Sequence, residues 1–150
     1  MPDEHNYIQQ NREQRERLGR LVEKLSESQL AQSLDGGWTV SAILAHCAFW
    51  DRCALQHWET WEREGIKPMP VDVEASNSEG FQGWLATPPR IAASEALEAA
   101  EAIDRKLETL DPTLLEKFYA EKYGLWRLHT YEHRGEHLDE IENTLGLSAR

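Results

Sequence analysis

No apolar run in this sequence approaches the roughly 20 residues of a membrane span, which argues against a membrane helix. Basic residues are outnumbered, with 16 Lys and Arg against 27 Asp and Glu and a net charge of −11. Binding nucleic acid without sequence preference needs clustered Lys and Arg to neutralise phosphates, so no nucleic-acid partner is expected. Cysteine is nearly absent. The only two, Cys47 and Cys53, sit six apart on one expected helix. That spacing puts their Cα atoms about 9 Å apart along the axis, beyond disulfide reach. They read as reduced thiols in a cytoplasmic protein. The opening "MPDEHNYIQQ" is polar and acidic and is not expected to act as a secretion signal.

What is present suits one soluble globular domain over residues 1–150, with 40% hydrophobic and 29% charged residues. The acidic residues are scattered along helical stretches, which makes a solvated surface their expected role. A first helix is expected from about Pro2 to Ser26, broken by "SLDGG" at Ser33 to Gly37. A long second helix follows, with Thr39 as N-cap and Gly65 as its stop. Residues 66–90 hold four of the six prolines and show no helical period, so they read as a long loop, functional or carrying a short element. An Ala-rich helix comes next. Asp111-Pro112 then opens a short helix, which Tyr123-Gly124 interrupts. The last helix is expected from Leu125 to Leu145. Nothing reads as a strand, and the pattern predicts an all-α fold, a four-helix bundle.

The last segment contains "LHTYEHRGEHLDEIE", a ladder of His129, His133 and His137 spaced four apart. Tyr131, Leu138, Ile141 and Leu145 define its core stripe. His137 lies about 85° from the centre of that stripe, His133 about 125° and His129 about 165°. On the second helix, His46 lies about 90° from its own stripe. Imidazoles at i and i+4 are stacked one turn apart and can converge on one ion. Positions eight apart, about 12 Å, cannot. His133 therefore belongs to any pair. The angles favour His137 as its neighbour, with His46 completing a triad and His129 as the alternative or an outlying group.

Two motifs extend this reading. "GGWTVSAILAHCAFWDR" resembles the entry to the second helix of the DinB-like family, and "EHRGEHLDEIE" resembles its last-helix pattern of His–x3–His followed four residues later by Ile. The resemblance covers nearly the whole chain and extends to the related N-terminal domain of mycothiol-dependent maleylpyruvate isomerases. It implies a four-helix bundle of the DinB-like type holding a divalent metal on His46, His133 and His137. Zinc and nickel lead, with iron and manganese compatible, and bacillithiol, mycothiol or glutathione is a candidate cosubstrate. The stretch from Tyr131 to His137 is also similar to one in colibactin self-protection hydrolases of the same family.

The expected function is a metal-dependent enzyme on a small-molecule substrate, a hydrolase or low-molecular-weight-thiol transferase. The alternative is a non-catalytic metal- or small-molecule-binding stress or self-protection protein. No catalytic residue is assigned. Glu136 and Glu140 beside the ligand helix read as surface. Trp50, Asp51 and Arg134 are pocket candidates. Asp51 and Arg134 both interrupt apolar stripes, and a buried charge without a partner is costly, so the two are expected to pair. Phe81 and Trp84 read as exposed aromatics that cover a pocket or form a homodimer contact.

Overall fold

The structure, a computed structural model, describes residues 6–147. It is all-α. The helices are α1 (Asn6–Lys24), α2 (Glu27–Leu30), α3 (Val40–Glu64), α4 (Val73–Ala86), α5 (Pro89–Glu108), α6 (Pro112–Glu121) and α7 (Thr130–Leu145). Among the described residues the only β feature is an isolated antiparallel bridge between Ser33 and Thr39. No helix there is long and apolar enough to cross a membrane. The expected start of the first helix near Pro2 lies outside the described residues.

Helix α3 begins and ends where local chemistry says it should. Thr39 Oγ1 accepts the Ala42 N–H at 3.1 Å, and Gly65, at φ 87°, takes the terminating conformation that a Cβ disfavours. Asp111 caps α6 in the same way. The four longest helices pack in a ring, with α3 against α5 and α7, and α1 against α5 and α7. Leu18, Leu21, Val40, Leu44, Leu138 and Ile141 belong to one core cluster. A second cluster gathers Tyr7, Trp58, Trp61, Ile103 and Phe118.

Two expectations fail here. Residues 66–90 are not mainly loop, because 14 of them form α4. Asp72 caps it, accepting the Ala75 N–H at 3.0 Å. Its apolar positions are sparse, so no period shows. Docking holds it instead: Trp84 is buried against Trp38 and Phe49, with ring centroids 5.9 and 5.5 Å away. Trp84 is therefore not an exposed aromatic. A Cβ at Gly80 would fall 2.4 Å from the Trp84 indole, so glycine one turn earlier lets that ring lie back along the helix.

The last helix does not start at Leu125. Leu125–Arg127 is a separate 3-10 turn, and α7 begins at Thr130. The break is made from α1. Asn11, fully buried, donates through Nδ2 to Leu128 O at 3.0 Å and accepts the Tyr131 N–H on Oδ1 at 2.9 Å. One side-chain amide thus satisfies a carbonyl and an N–H that a continuous helix would have paired internally.

A buried ionic network ties the long helices together. Arg134 of α7 donates to Asp51 of α3 at 3.2 Å and through both terminal nitrogens to Asp104 of α5 at 3.0 and 3.3 Å. Arg15 of α1 also meets Asp104, at 2.8 Å, and the Thr130 hydroxyl donates to it at 2.8 Å. Two guanidinium groups face two carboxylates, so the cluster is neutral and highly hydrogen-bonded, as buried ions require. Asp51 pairs with Arg134 as its stripe position predicts, while Arg52 turns to Glu95 on the surface. Asp104, the larger partner, lies on an Ala-rich helix whose sequence gives no sign of it.

Candidate metal centre

The network fixes α3 and α7 side by side, and its neighbours in sequence carry the site. His133 precedes Arg134, and His46 lies five residues before Asp51. His46 Nε2 stands 3.1 Å from His133 Nε2, and His133 Nε2 stands 3.1 Å from His137 Nε2. All three ligand nitrogens lie within 4.8 Å of one another. The rings meet tip to tip: His137 is turned 88° to His46 and 87° to His133.

This arrangement fits an ion better than it fits hydrogen bonding alone. A neutral imidazole has one N–H and one lone pair. His133 Nε2 is either donor or acceptor, so it cannot make two good hydrogen bonds at once from a single in-plane direction. A divalent ion would accept all three lone pairs. Bonds of about 2.0–2.1 Å set ligand nitrogens about 2.9–3.4 Å apart, the range of both short contacts. Burial pushes His46 down to about 4, helped by neighbouring His137. Burial, then His137, His46 and Arg134, pushes His133 down to about 3. Both are thus neutral at pH 7 and able to ligate. His137 Nδ1 lies 3.0 Å from Glu140 Oε1, the carboxylate contact that orients a ligating imidazole. His46 Nδ1 is buried with no protein partner.

A cavity of about 530 Å³ adjoins the triad. Trp38, Trp50 and Trp126 form much of its wall with Ile43 and Val73, and Asp51, Asn77, Thr130 and Glu140 supply its other polar groups. Helix α4 closes one side, where Asn77 Oδ1 accepts the Trp50 Nε1–H at 3.0 Å. Trp84 packs edge-on to His46, centroids 5.0 Å apart, and Trp38 does so at 5.4 Å. Burial raises Asp51 to about 6, Arg134 pulls it down and Asp104 pushes it up.

Of the pocket candidates, Trp50 and Asp51 line this cavity and Arg134 does not; it is buried behind Asp51, where its charge is needed. His129 is the N-cap position of α7, outside the triad. Glu140 is more than a surface group, and the i, i+3 spacing from His137 carried that signal. Trp38 stands in the motif that carries the family resemblance, though nothing there marks it as cavity lining, and Trp126 and Asn77 come from two other segments that no local pattern marks.

A family model for the mycothiol maleylpyruvate isomerase N-terminal domain matches residues 11–122. The chain belongs to this family, part of the DinB-like superfamily. The match includes His46 and stops before α7, so His133 and His137 rest on geometry. No curated protein and no solved structure matches the chain.

Proposed function

We propose that this family member is a metal-dependent enzyme acting on a small molecule, a hydrolase or a low-molecular-weight-thiol transferase. The observation that carries the reading is the convergence of three imidazole nitrogens at the wall of a cavity of about 530 Å³. His46, His133 and His137 would hold the ion, with zinc or nickel first and iron or manganese compatible. Three protein ligands leave positions open, the layout of catalytic rather than structural sites. When bound, a divalent ion supplies Lewis-acid chemistry and lowers the pKa of bound water or thiol.

The chain's own residues do the remainder. Glu140 holds the His137 ring through Nδ1. The indoles of Trp38, Trp50 and Trp126 give the site an apolar wall. Asp51 presents a carboxyl at the cavity wall, with one oxygen held by Arg134, and a pKa near 6 suits it to take and return a proton near neutral pH. The family's name supports the thiol branch, and the open ligand positions support the hydrolytic one.

The test is metal analysis of untagged protein, then hydrolysis and thiol-transfer assays on electrophilic probes with and without chelation. Activity that chelation removes, and that falls below about pH 6 in the wild type but not along the same limb in Asp51→Asn, supports the reading. Protein that takes up neither zinc nor nickel refutes it. Inertness of the metal-loaded protein across esters and thiols leaves a non-catalytic binding protein.

A further inference from the structure

We infer that the cavity beside the triad takes a substrate with a neutral, ring-bearing apolar body, and that it holds no anionic group away from the ion. This rests on the proposed metal-dependent function for what the substrate undergoes, but the cavity argument itself needs no metal. An anion needs N–H or O–H donors or a cation. None of the described lining residues is Lys or Arg. The carboxyl and hydroxyl groups present are acceptors or already engaged. Asp51 is a carboxylate bound to Arg134, and Glu140 is a carboxylate facing His137. The Thr130 hydroxyl donates its proton to Asp104 at 2.8 Å. The Trp50 N–H is taken by Asn77 Oδ1, so the donors left are the Asn77 amide nitrogen, the Trp38 and Trp126 indole N–H groups and the triad's own imidazoles, with no guanidinium or ammonium among them.

The apolar surface points the same way. Three indoles line one cavity, and flat π faces favour offset or edge-on contact with another ring. Trp126 is packed on two sides, with Arg127 stacked 4.5 Å from its centroid and Trp50 edge-on at 5.6 Å. The Arg127 charge is used behind that wall, donating to His57 Nδ1 at 2.7 Å and to Met69 O at 2.6 Å. A substrate atom with a lone pair can reach the ion, while the rest of the molecule meets carbon. A thiol cosubstrate carrying several carboxylates finds no cradle in this cavity.

A matched pair of fluorescent probes tests this on the full-length, chelator-treated protein: N-phenyl-1-naphthylamine, which is neutral, and 1-anilinonaphthalene-8-sulfonate, the same ring system with an anionic group. The neutral probe should bind with tryptophan-sensitised emission, and the sulfonate should bind at least about tenfold more weakly. Trp126→Ala should weaken the neutral probe about tenfold. Because that variant removes a large ring, Val73→Lys is the second: Val73 is exposed at the start of α4 yet lines the cavity, so the substitution leaves the core alone. It should narrow the preference by strengthening sulfonate binding. Equal affinity for the two probes overturns the inference, as does no binding of the neutral one, or binding unmoved by either substitution. Zinc titration of the same samples keeps the two readings apart. Zinc uptake without probe binding defeats this inference alone, and probe binding without zinc uptake defeats the metal-dependent function alone.

Discussion

His46 and His57 stand on the same helix, eleven residues apart, and about 20° apart around its axis. Both are buried, and both are pushed down to about 4, chiefly by burial. Their partners make them different. At His57, Arg127 Nε donates to Nδ1 at 2.7 Å. A guanidinium only donates, so Nδ1 is the acceptor and Nε2 carries the proton, directed at Cys53 Sγ 3.6 Å away. No lone pair is left. At His46, Nε2 faces two other imidazoles, and its lone pair has no committed donor. Low basicity alone therefore does not identify a ligand; the occupancy of the ring nitrogens does.

The comparison is tested most severely by removing rings one at a time. His46→Ala, His133→Ala and His137→Ala should each weaken zinc binding by at least about a thousandfold, more than the 10–100-fold typical of an outer partner. His57→Ala should leave zinc affinity within about threefold while lowering stability, because it strands the buried Arg127 donor. Calorimetric titration with circular dichroism on each variant gives both readouts. Zinc lost from the His57 variant and kept by the others would reverse the two roles.

Glu140→Gln probes how a ligating ring is held. His137 has a carboxylate at Nδ1 and His46 has nothing there, so the two ligands are oriented by different means. Replacing the carboxylate by an amide should reduce zinc affinity about 10–100-fold without emptying the site. An unchanged affinity would mean that packing alone orients His137, as it does His46.

Much of this contrast was legible in the residues and part was not. The bounds of α3 were readable because Thr39 and Gly65 act within a few residues of themselves. The pairing of His133 with His137 was readable because helical geometry is local. Its meeting with His46 needed only that two core-flanking angles agree. What no local pattern could show was structure imposed from a distance. Asn11 ends the helix at Leu128 from another helix, α4 is held by docking Trp84, and Asp104 compensates Arg134 from a stretch that reads as alanine. Trp126 reaches the cavity from the turn that Asn11 helps to fix.

Acid should expose the two histidines together. Each has a folded-state value near 4 against an ordinary 6.5. Between those values the unfolded chain binds protons that the folded, metal-free protein refuses. Stability therefore rises with pH across this window and is lost as pH falls from 6.5 toward 4. Thermal melts of chelated protein at several pH values should show this loss. His57→Gln keeps an acceptor for Arg127 but cannot titrate, so it should flatten the slope by about one proton, or about 1.4 kcal/mol per pH unit. A slope that His57→Gln leaves intact would put the acid sensitivity elsewhere.

The smallest effect belongs to the third rung of the ladder. His129 is four residues before His133, the spacing that brings His137 into the triad. Spacing carries weight only inside a helix, and His129 lies at its threshold, with φ −96° and ψ 68°. Its ring stacks with Tyr7 at 6.1 Å and Tyr131 at 5.5 Å, and its Nδ1 is 3.7 Å from Glu132. Those contacts give it a packing role, with Tyr7 joining it to α1. His129→Ala should leave zinc affinity within about twofold and cost about 1 kcal/mol of stability, the scale of one lost aromatic contact. Zinc titration and urea unfolding of that variant separate the two effects. If His129→Ala empties the site while His137→Ala does not, the ion belongs one turn earlier, and the backbone break at Leu128 must close into continuous helix when metal binds.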